Sequence, residues 1–359
     1  MQRKDAEHAI HLFQYVLKGN DRLLFSDEKA ILRKANTHSD VGGSIEKKKN
    51  FLYLDFKRSE NITNGLSDKD DRPLGITFDH ASQKWWICCE NNMIVSFDAS
   101  NNYKKNLTMN TAIKCPTAVT VLERDVLLVL CHEKEKNKSY IVKYKDDHPK
   151  KTQKFVTSDH AWAKLENPCR AITTTSAKNI LTIDFPSNAT PRLRWLNNAK
   201  KVQASFPLND TVRPSYISYA KKKVAITDCI TGKVLLLLID ETDDKYPTIQ
   251  LLQLLKADNF SMNEARPLPE YNFCQFPVGV QIDQDGQVLV ADETAYSIKL
   301  YNEKLGFVQR ISSSHPYPTM SAFYLTAQGA IAILDIKGGS VLFGKLKSLS
   351  EAKPWISLF

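Results

Sequence analysis

Residues 71–98 read DRPLGITFDHASQKWWICCENNMIVSFD, and this stretch decides the fold. Leu74–Asp79 and Met93–Asp98 alternate apolar and polar side chains, and Trp85–Cys89 is an apolar run between them. Because a period of two is typical of strands and turn residues separate the three runs, the stretch predicts a three-stranded antiparallel meander. A meander of this size cannot bury both of its faces alone, so we expect further copies in the chain.

Five further copies of this pattern follow along the chain. Each opens near a proline and continues with a strand, a turn, an apolar strand, a second turn and a third strand. The opening prolines lie 43, 52, 46, 63 and 41 residues apart and are Pro73, Pro116, Pro168, Pro214, Pro277 and Pro318. Repeats of about 40–50 residues with four strands each are typical of propeller blades, so the sequence predicts an all-β, six-bladed β-propeller over residues 51–359.

The two ends of the predicted propeller decide how its ring closes. Each copy shows three strands clearly, and little chain follows the third strand of the sixth copy. Phe51–Phe56 (FLYLDF) is a strand-like run just before the first copy. Pairing this run to the last blade would remove a free sheet edge, so we prefer it for the closure. Pro354–Phe359 is the alternative closing strand.

The first 50 residues differ in character from the rest of the chain. Apolar side chains share one helical face within Asp5–Lys18 and again within Arg22–Ala35, with Gly19-Asn20 between the two segments. Residues 1–35 therefore predict a short α-helical hairpin, which is too small to be stable alone. Residues 36–50 are polar, contain Gly42-Gly43 and Lys47–Lys49, and predict a linker.

Composition narrows the class of protein and of partner. The chain has 359 residues, a net charge of +9 and a pI near 9.0, which favours an anionic partner. Its seven cysteines include no C-x-x-C pair, and no two histidines have metal-ligand spacing, so we predict neither a metal nor a cofactor. The N-terminus lacks a signal-peptide apolar region and no run approaches the ~20 apolar residues of a membrane span, so we expect a cytoplasmic protein. Six N-glycosylation sequons favour a secreted protein instead, because such sequons matter only in secreted proteins.

Two of the six copies share a stricter pattern. Pro73-Leu-Gly75-Ile76 is followed by Asp79 and later by Ile94-Val-Ser-Phe97-Asp98. Pro277-Val-Gly279-Val280 is followed by Asp283, by Leu289-Val-Ala-Asp292 and by Ile298-Lys-Leu-Tyr301-Asn302. These copies resemble the NHL repeat, and the other four resemble it more loosely because they lack the glycine. With the amphipathic hairpin and the linker in front, the chain looks like the C-terminal part of a TRIM-NHL family protein.

This resemblance implies a propeller that acts as a non-catalytic recognition domain. In the family, one face of the propeller is used for RNA in several members, and the ubiquitin ligase modules, RING and B-box, lie upstream. This chain shows no zinc-ligand spacing of that kind, so the resemblance implies a piece or a relative without ligase activity. It also implies an oligomer formed through the N-terminal helices.

The candidate binding residues all lie on one face of the predicted disc. This face, here called the entry face, carries the segments that lead into the innermost strands and the turns between second and third strands. Its predicted cations and aromatic rings are Arg72, Lys114, Lys134, Lys136, Lys138, Arg170, Arg213, Lys337, Phe276 and Tyr317. Cations can contact phosphates and rings can stack on bases, so the set predicts binding of single-stranded or structured RNA. A protein partner is the alternative, since propellers present rigid faces to many kinds of partner.

An enzyme is the least favoured class. Six-bladed propeller hydrolases hold a calcium ion on the channel axis with carboxylate and asparagine side chains. The innermost strands here offer uncharged side chains instead: Thr77, Thr120, Thr173, Ser218 and Gln281. The sequence also contains no nucleophile elbow and no phosphate-cradling loop. We therefore predict a binding module without catalytic residues, with a calcium-dependent hydrolase as the weakest alternative.

Overall fold

The computed structural model describes the strand-rich part of the chain. The described residues are 52–61, 72–90, 92–100, 103–108, 115–133, 137–145, 162–187, 189–197, 201–209, 211–242, 247–255, 274, 276–313 and 317–348. They form 24 strands, and the helical hairpin and linker predicted over residues 1–50 lie outside them. Within these ranges no helix is long and apolar enough to span a membrane.

Each predicted meander is the inner part of a four-stranded antiparallel blade. One strand, β1 (Leu52–Asn61), precedes the first blade. Blade 1 consists of β2 (Pro73–Asp79), β3 (Lys84–Cys89), β4 (Met93–Asp98) and β5 (Tyr103–Thr108). Blade 2 consists of β6 (Pro116–Glu123), β7 (Val126–Glu133), β8 (Lys138–Lys145) and β9 (Ala163–Leu165). Blade 3 consists of β10 (Cys169–Thr174), β11 (Ile180–Asp184), β12 (Arg192–Leu196) and β13 (Val202–Pro207).

The second half of the ring repeats this order. Blade 4 consists of β14 (Pro214–Ala220), β15 (Lys223–Asp228), β16 (Lys233–Asp240) and β17 (Thr248–Leu255). Blade 5 consists of β18 (Pro277–Ile282), β19 (Val288–Asp292), β20 (Ser297–Tyr301) and β21 (Phe307–Ser313). Blade 6 takes only β22 (Met320–Leu325), β23 (Ala330–Asp335) and β24 (Ser340–Ser348) from this end of the chain. The predicted all-β, six-bladed propeller is confirmed.

The ring closes through the N-terminal strand. β1 pairs antiparallel with β24, from Leu52 opposite Ser348 to Asn61 opposite Ser340, and is thereby the outermost strand of blade 6. It also pairs parallel with β21 at Tyr53 and Leu54, which joins blades 5 and 6 into one sheet. The preferred closing strand is therefore confirmed, and it extends five residues beyond the predicted Phe56.

Apolar packing between neighbouring blades forms the core. Six clusters of buried apolar side chains each join two adjacent blades. Trp85 and Trp86, both almost fully buried, point to opposite faces of β3 and belong to the clusters toward blade 6 and blade 2 respectively. Their predicted role as core side chains is confirmed.

The glycine of the stricter repeat pattern has a packing role. A Cβ atom on Gly75 would lie 3.0 Å from the Cα atom of Ala118, on the innermost strand of the next blade. Gly279 faces Ala322 and Phe323 of blade 6 in the same way. Because innermost strands approach most closely at the axis, a side chain at this position must be small or must point into the channel.

Side chains also tie the innermost strands to one another. Gln281 bonds both the N–H and the C=O of Leu325, each at 2.6 Å, across blades 5 and 6. Ser218 Oγ accepts the N–H of Ile282 at 3.0 Å, and Thr174 Oγ1 donates to the C=O of Val121 at 2.9 Å. These bonds satisfy backbone groups that the inner sheet edges would otherwise leave unpaired.

Aspartates at the ends of second strands fix the loops of the entry face. Asp228, fully buried, accepts N–H groups from Val212 at 2.6 Å and Arg213 at 3.1 Å through Oδ2, and from Ile230 at 3.0 Å through Oδ1. Asp292 holds the N–H of Phe276 in blade 5, at 3.1 Å. The segment before an innermost strand and the turn beside it are thus held by the same carboxylate.

Leu54→Ala tests whether β1 is an integral part of blade 6. Leu54 is fully buried in the cluster between blades 5 and 6, so truncation should lower the free energy of unfolding by about 2–5 kcal/mol. Urea unfolding of the full chain measures it. Leu251→Ala is the matched control, because Leu251 is 45% exposed and its loss should change little. Equal effects of the two substitutions would contradict the closure.

Asp228→Ala tests the loop anchoring. The N–H groups that this buried carboxylate accepts would lose a charged acceptor, which should cost about 3 kcal/mol. Amide hydrogen exchange should also become faster at Val212 and Arg213. Asp240→Ala removes an exposed carboxylate of the same blade that accepts the N–H of Thr242, and the loss should be much smaller. Unchanged exchange in Asp228→Ala would show that the loop is held by other contacts.

Candidate binding face

Two arginines stand side by side on the entry face at blades 3 and 4. Arg170 is the second residue of β10, and Arg213 immediately precedes β14. Both are exposed, and among the described residues no carboxylate forms an ion pair with either guanidinium. Burial and then the charge of Arg213 lower the pKa of Arg170 from its usual value. Two neighbouring cations without a counter-charge favour an anionic group of a ligand between them.

An aromatic ring supports one of these arginines. The Arg170 guanidinium lies 5.5 Å from the ring centre of Phe185, which is partly buried just after β11. This cation–π contact orients the guanidinium while leaving its N–H groups available. The carboxylate of Asp184, next to Phe185 in the chain, does not pair with Arg170, because it pairs with Arg192 at 3.2 Å and with Arg194 at 2.6 Å.

Exposed apolar side chains lie on the same face as Arg213, at blades 4 and 5. Val212 precedes it and is 61% exposed, and Ile230, in the turn after β15, is 55% exposed. Tyr296 lies in the corresponding turn of blade 5 and is 54% exposed, with a positive φ of 44°. The other large exposed apolar side chains of the described residues lie on outer strands of the blades: Val202, Leu251, Leu252 and Val308. The entry face therefore combines unpaired cations with exposed apolar groups at blades 3–5.

Tyr216 occupies the channel axis. In each blade, the innermost strand begins its pairing at the end of the second strand. Two residues after this first pair, blade 4 has Tyr216, whereas the other blades have only glycine or alanine: Gly75, Ala118, Ala171, Gly279 and Ala322. The ring packs against the clusters between blades 4 and 5, blades 5 and 6, and blades 6 and 1. It thus reaches from blade 4 across the axis, and burial raises the pKa of its hydroxyl far above the usual range.

The structure places the predicted binding residues in different environments. Arg72, Lys138 and Lys337 are exposed around the entry face at blades 1, 2 and 6. Phe276 and Tyr317 pack against the cluster between blades 5 and 6. The Tyr317 hydroxyl donates to the C=O of Ile311 at 2.9 Å, and its ring meets Phe56 edge-on. The remaining predicted cations, Lys114, Lys134 and Lys136, lie outside the described residues.

Sequence reasoning missed the apolar part of this face. Val212, Ile230 and Tyr296 are single apolar residues in segments that otherwise read as turns. An apolar residue in a turn next to a buried aspartate is the signal that could have found them, because such a turn is held at the surface. Tyr216 could have been found as the one large residue at a position that is otherwise small.

Within the described residues, no group of three or more His, Cys, Asp or Glu side chains is arranged to hold a metal ion. All seven cysteines are free, and Cys88 and Cys89 are fully buried between blades, as the predicted packing role requires.

Comparison with known proteins identifies a fold and no family. No family model matches the chain, and no curated protein matches it. A luciferin-regenerating enzyme is similar in structure, with a TM-score of 0.54 and 14% identity over 81% of this chain and 95% of that one. XC5397 from Xanthomonas campestris, described as a gluconolactonase, has a TM-score of 0.53 and 12% identity over 86% of this chain and 99% of that one.

A third similar structure has no enzyme name. The Cps50 (Swd1) β-propeller domain of Myceliophteria thermophila has a TM-score of 0.51 and 8% identity over 76% of this chain and 82% of that one. At these identities the likeness shows the fold alone, and the resemblance to NHL repeats stays a prediction from the sequence. The chain is a β-propeller of six blades.

Proposed function

We propose that this chain is a non-catalytic binding module whose entry face, at blades 3–5, binds an extended protein segment with acidic and apolar side chains. The exposure of Val212, Ile230 and Tyr296 on the same face as Arg213 is the observation that carries the proposal. Covering apolar surface releases free energy in proportion to its area, and a cluster of such side chains on a soluble face is typical of an interaction site. Arginine and tyrosine are also enriched among the residues that dominate protein interfaces.

Charge gives the proposed partner its acidic character. Arg170 and Arg213 have no carboxylate partner among the described residues, and the whole chain has a net charge of +9. A carboxylate of the partner placed between the two guanidinium groups would relieve their repulsion and form charge-assisted hydrogen bonds. The buried Asp228 supports this arrangement, because its carboxylate accepts the backbone N–H of both Val212 and Ile230.

Single-stranded RNA is the second candidate. The stacking of Arg170 on Phe185 favours it, because an oriented guanidinium can contact a phosphate. The exposed cations Arg72, Lys138 and Lys337 would extend such a contact around the face. The aliphatic side chains of Val212 and Ile230 favour protein over RNA, because they offer little to a phosphate backbone. If the TRIM-NHL resemblance holds, a protein bound at this face would be a substrate for ubiquitin ligation, and this module would be the substrate-recognition domain.

Selection of a random peptide library on the full chain tests the proposal. Enriched peptides should combine Asp or Glu with apolar residues. Arg170→Gln with Arg213→Gln, and separately Ile230→Ser, should each weaken binding of the best peptide about tenfold or more, as measured by fluorescence anisotropy. The matched controls are Lys221→Gln with Lys222→Gln, exposed cations on the opposite face, and Leu251→Ser on an outer strand, and both should bind normally.

A labelled single-stranded RNA of mixed sequence separates the two candidates. Binding of this RNA that falls steeply with added salt, together with no peptide enrichment, would establish the RNA function and overturn the protein proposal. Binding of peptides by the control variants and the arginine variants alike would place the site elsewhere. Absence of binding to both probes would overturn both candidates.

A further inference from the structure

The six innermost strands surround an axial cavity that reaches from the opposite face to Arg170 and Tyr216 near the entry face. Its volume is about 450 Å³, within the usual range for small-molecule sites. At the opposite face it is lined by turn residues that are exposed: His80, Ala81, Glu123 and Arg124. Toward the entry face, the ring of Tyr216 crosses the axis and narrows it. The cavity is therefore approached from the opposite face.

Hydrogen-bonding side chains line this cavity at one level. They are the fourth residues after the start of each innermost strand: Thr77, Thr120, Thr173, Ser218, Gln281 and Tyr324. Gln281 and Ser218 are used to tie neighbouring strands together, through Leu325 and Ile282. The Tyr324 hydroxyl lies 3.4 Å from Nε2 of His80.

Three of these side chains have no such use. No described group bonds to the hydroxyls of Thr77, Thr120 and Thr173, although Thr77 and Thr120 are only 6% and 7% exposed. They belong to the consecutive blades 1, 2 and 3 and so form an arc on one side of the cavity. These hydroxyls open into the cavity, so water or a ligand in the cavity supplies their hydrogen-bonding partners.

The charged groups at the opposite mouth of the cavity are already paired, and Arg170 lines the other end, toward the entry face. At the opposite mouth, Glu123 pairs with Lys178 at 3.0 Å and Arg124 lies 3.5 Å from Asp125. Asp79 accepts N–H groups from Ala81 and Asp125 and the hydroxyl of Ser82. Burial, opposed by the charge of Asp79, lowers the pKa of His80, so its ring is neutral at pH 7.

Aromatic surface faces the threonine arc. Tyr324 lines the cavity from blade 6, with its ring edge-on to Trp85, and Tyr216 covers the axis. A pocket with hydroxyl groups on one side and aromatic rings on the other fits a molecule that has many hydroxyls and an apolar C–H face. We propose that the axial cavity binds an uncharged sugar or polyol whose hydroxyls bond to Thr77, Thr120 and Thr173.

Saturation-transfer NMR on the full chain tests this site. The probes are D-glucose, D-galactose, N-acetyl-D-glucosamine and myo-inositol, with D-glucuronate and glucose 6-phosphate as charged counterparts. At least one neutral probe should receive saturation from the protein, and the charged counterparts should receive none. Saturation of the charged probes alone, or of no probe, would overturn the proposal, as would a crystal grown with the best probe that shows only ordered water on the three threonines.

Isosteric variants locate the bound probe. Replacing Thr77, Thr120 and Thr173 together by valine keeps the shape of the wall and should weaken binding of the best neutral probe at least tenfold. The matched control is Thr227→Val, because the Thr227 hydroxyl has no partner either but is buried on β15, away from the cavity. Unweakened binding in the triple variant would overturn the proposal.

The entry-face variant Ile230→Ser separates this site from the proposed protein-binding surface. It should bind the neutral probe like the unmodified chain, whatever its effect on peptides. Loss of sugar binding in Ile230→Ser would show that the sugar occupies the entry face and not the cavity.

Discussion

The pairing of β1 with β24 is the interaction on which the rest of the structure depends. A blade buries both of its faces only if it has a neighbour on each side, and in a chain of blades the two end blades lack one. Closing the ring with a strand from before blade 1 gives blade 6 its fourth strand and joins the first described strand to the last. The spacing of the six innermost strands, and with it the width of the channel, follows from that closure.

The closed ring explains how the entry-face surface can be built on short loops. Each entry-face loop is anchored to a blade that cannot move relative to its neighbours, and buried aspartates such as Asp228 and Asp292 hold the backbone of the loop. Arg213 therefore keeps its place beside Arg170 despite the repulsion between them. Like charges held together in this way are destabilising by themselves, so they are typical of a surface selected for binding.

Much of the fold could be predicted from the spacing of prolines and apolar runs, because each blade repeats the same local physics. The register of the innermost strands in blades 3 and 6 could not be predicted from the prolines. There the residues paired with the ends of the second strands are Cys169 and Met320, which follow Pro168 and Pro318 by one and two positions. Register is set by the hydrogen bonds between strands, and a proline only limits where a strand begins.

The charged part of the candidate binding face could be predicted from the sequence, and its apolar part could not. Arg170, Arg213 and Arg72 could be placed on the entry face from their positions next to predicted strands. Tyr317 shows the limit of that reasoning, since its hydroxyl bonds to Ile311 and its ring packs on Phe56. Whether a loop side chain turns outward or inward depends on the neighbouring blade, which a single sequence does not display.

The closing strand also has a consequence for synthesis on the ribosome. The residues that meet in the closure, Asp55 and Lys347, are separated by 292 positions in the chain. At about 5–20 residues per second, β1 emerges roughly 15–60 s before its partner strand exists. During that interval the first blade lacks its neighbour, and its aromatic face toward blade 6, with Phe78, Trp85 and Phe97, is uncovered. A nascent chain of this protein is therefore a natural client for chaperones.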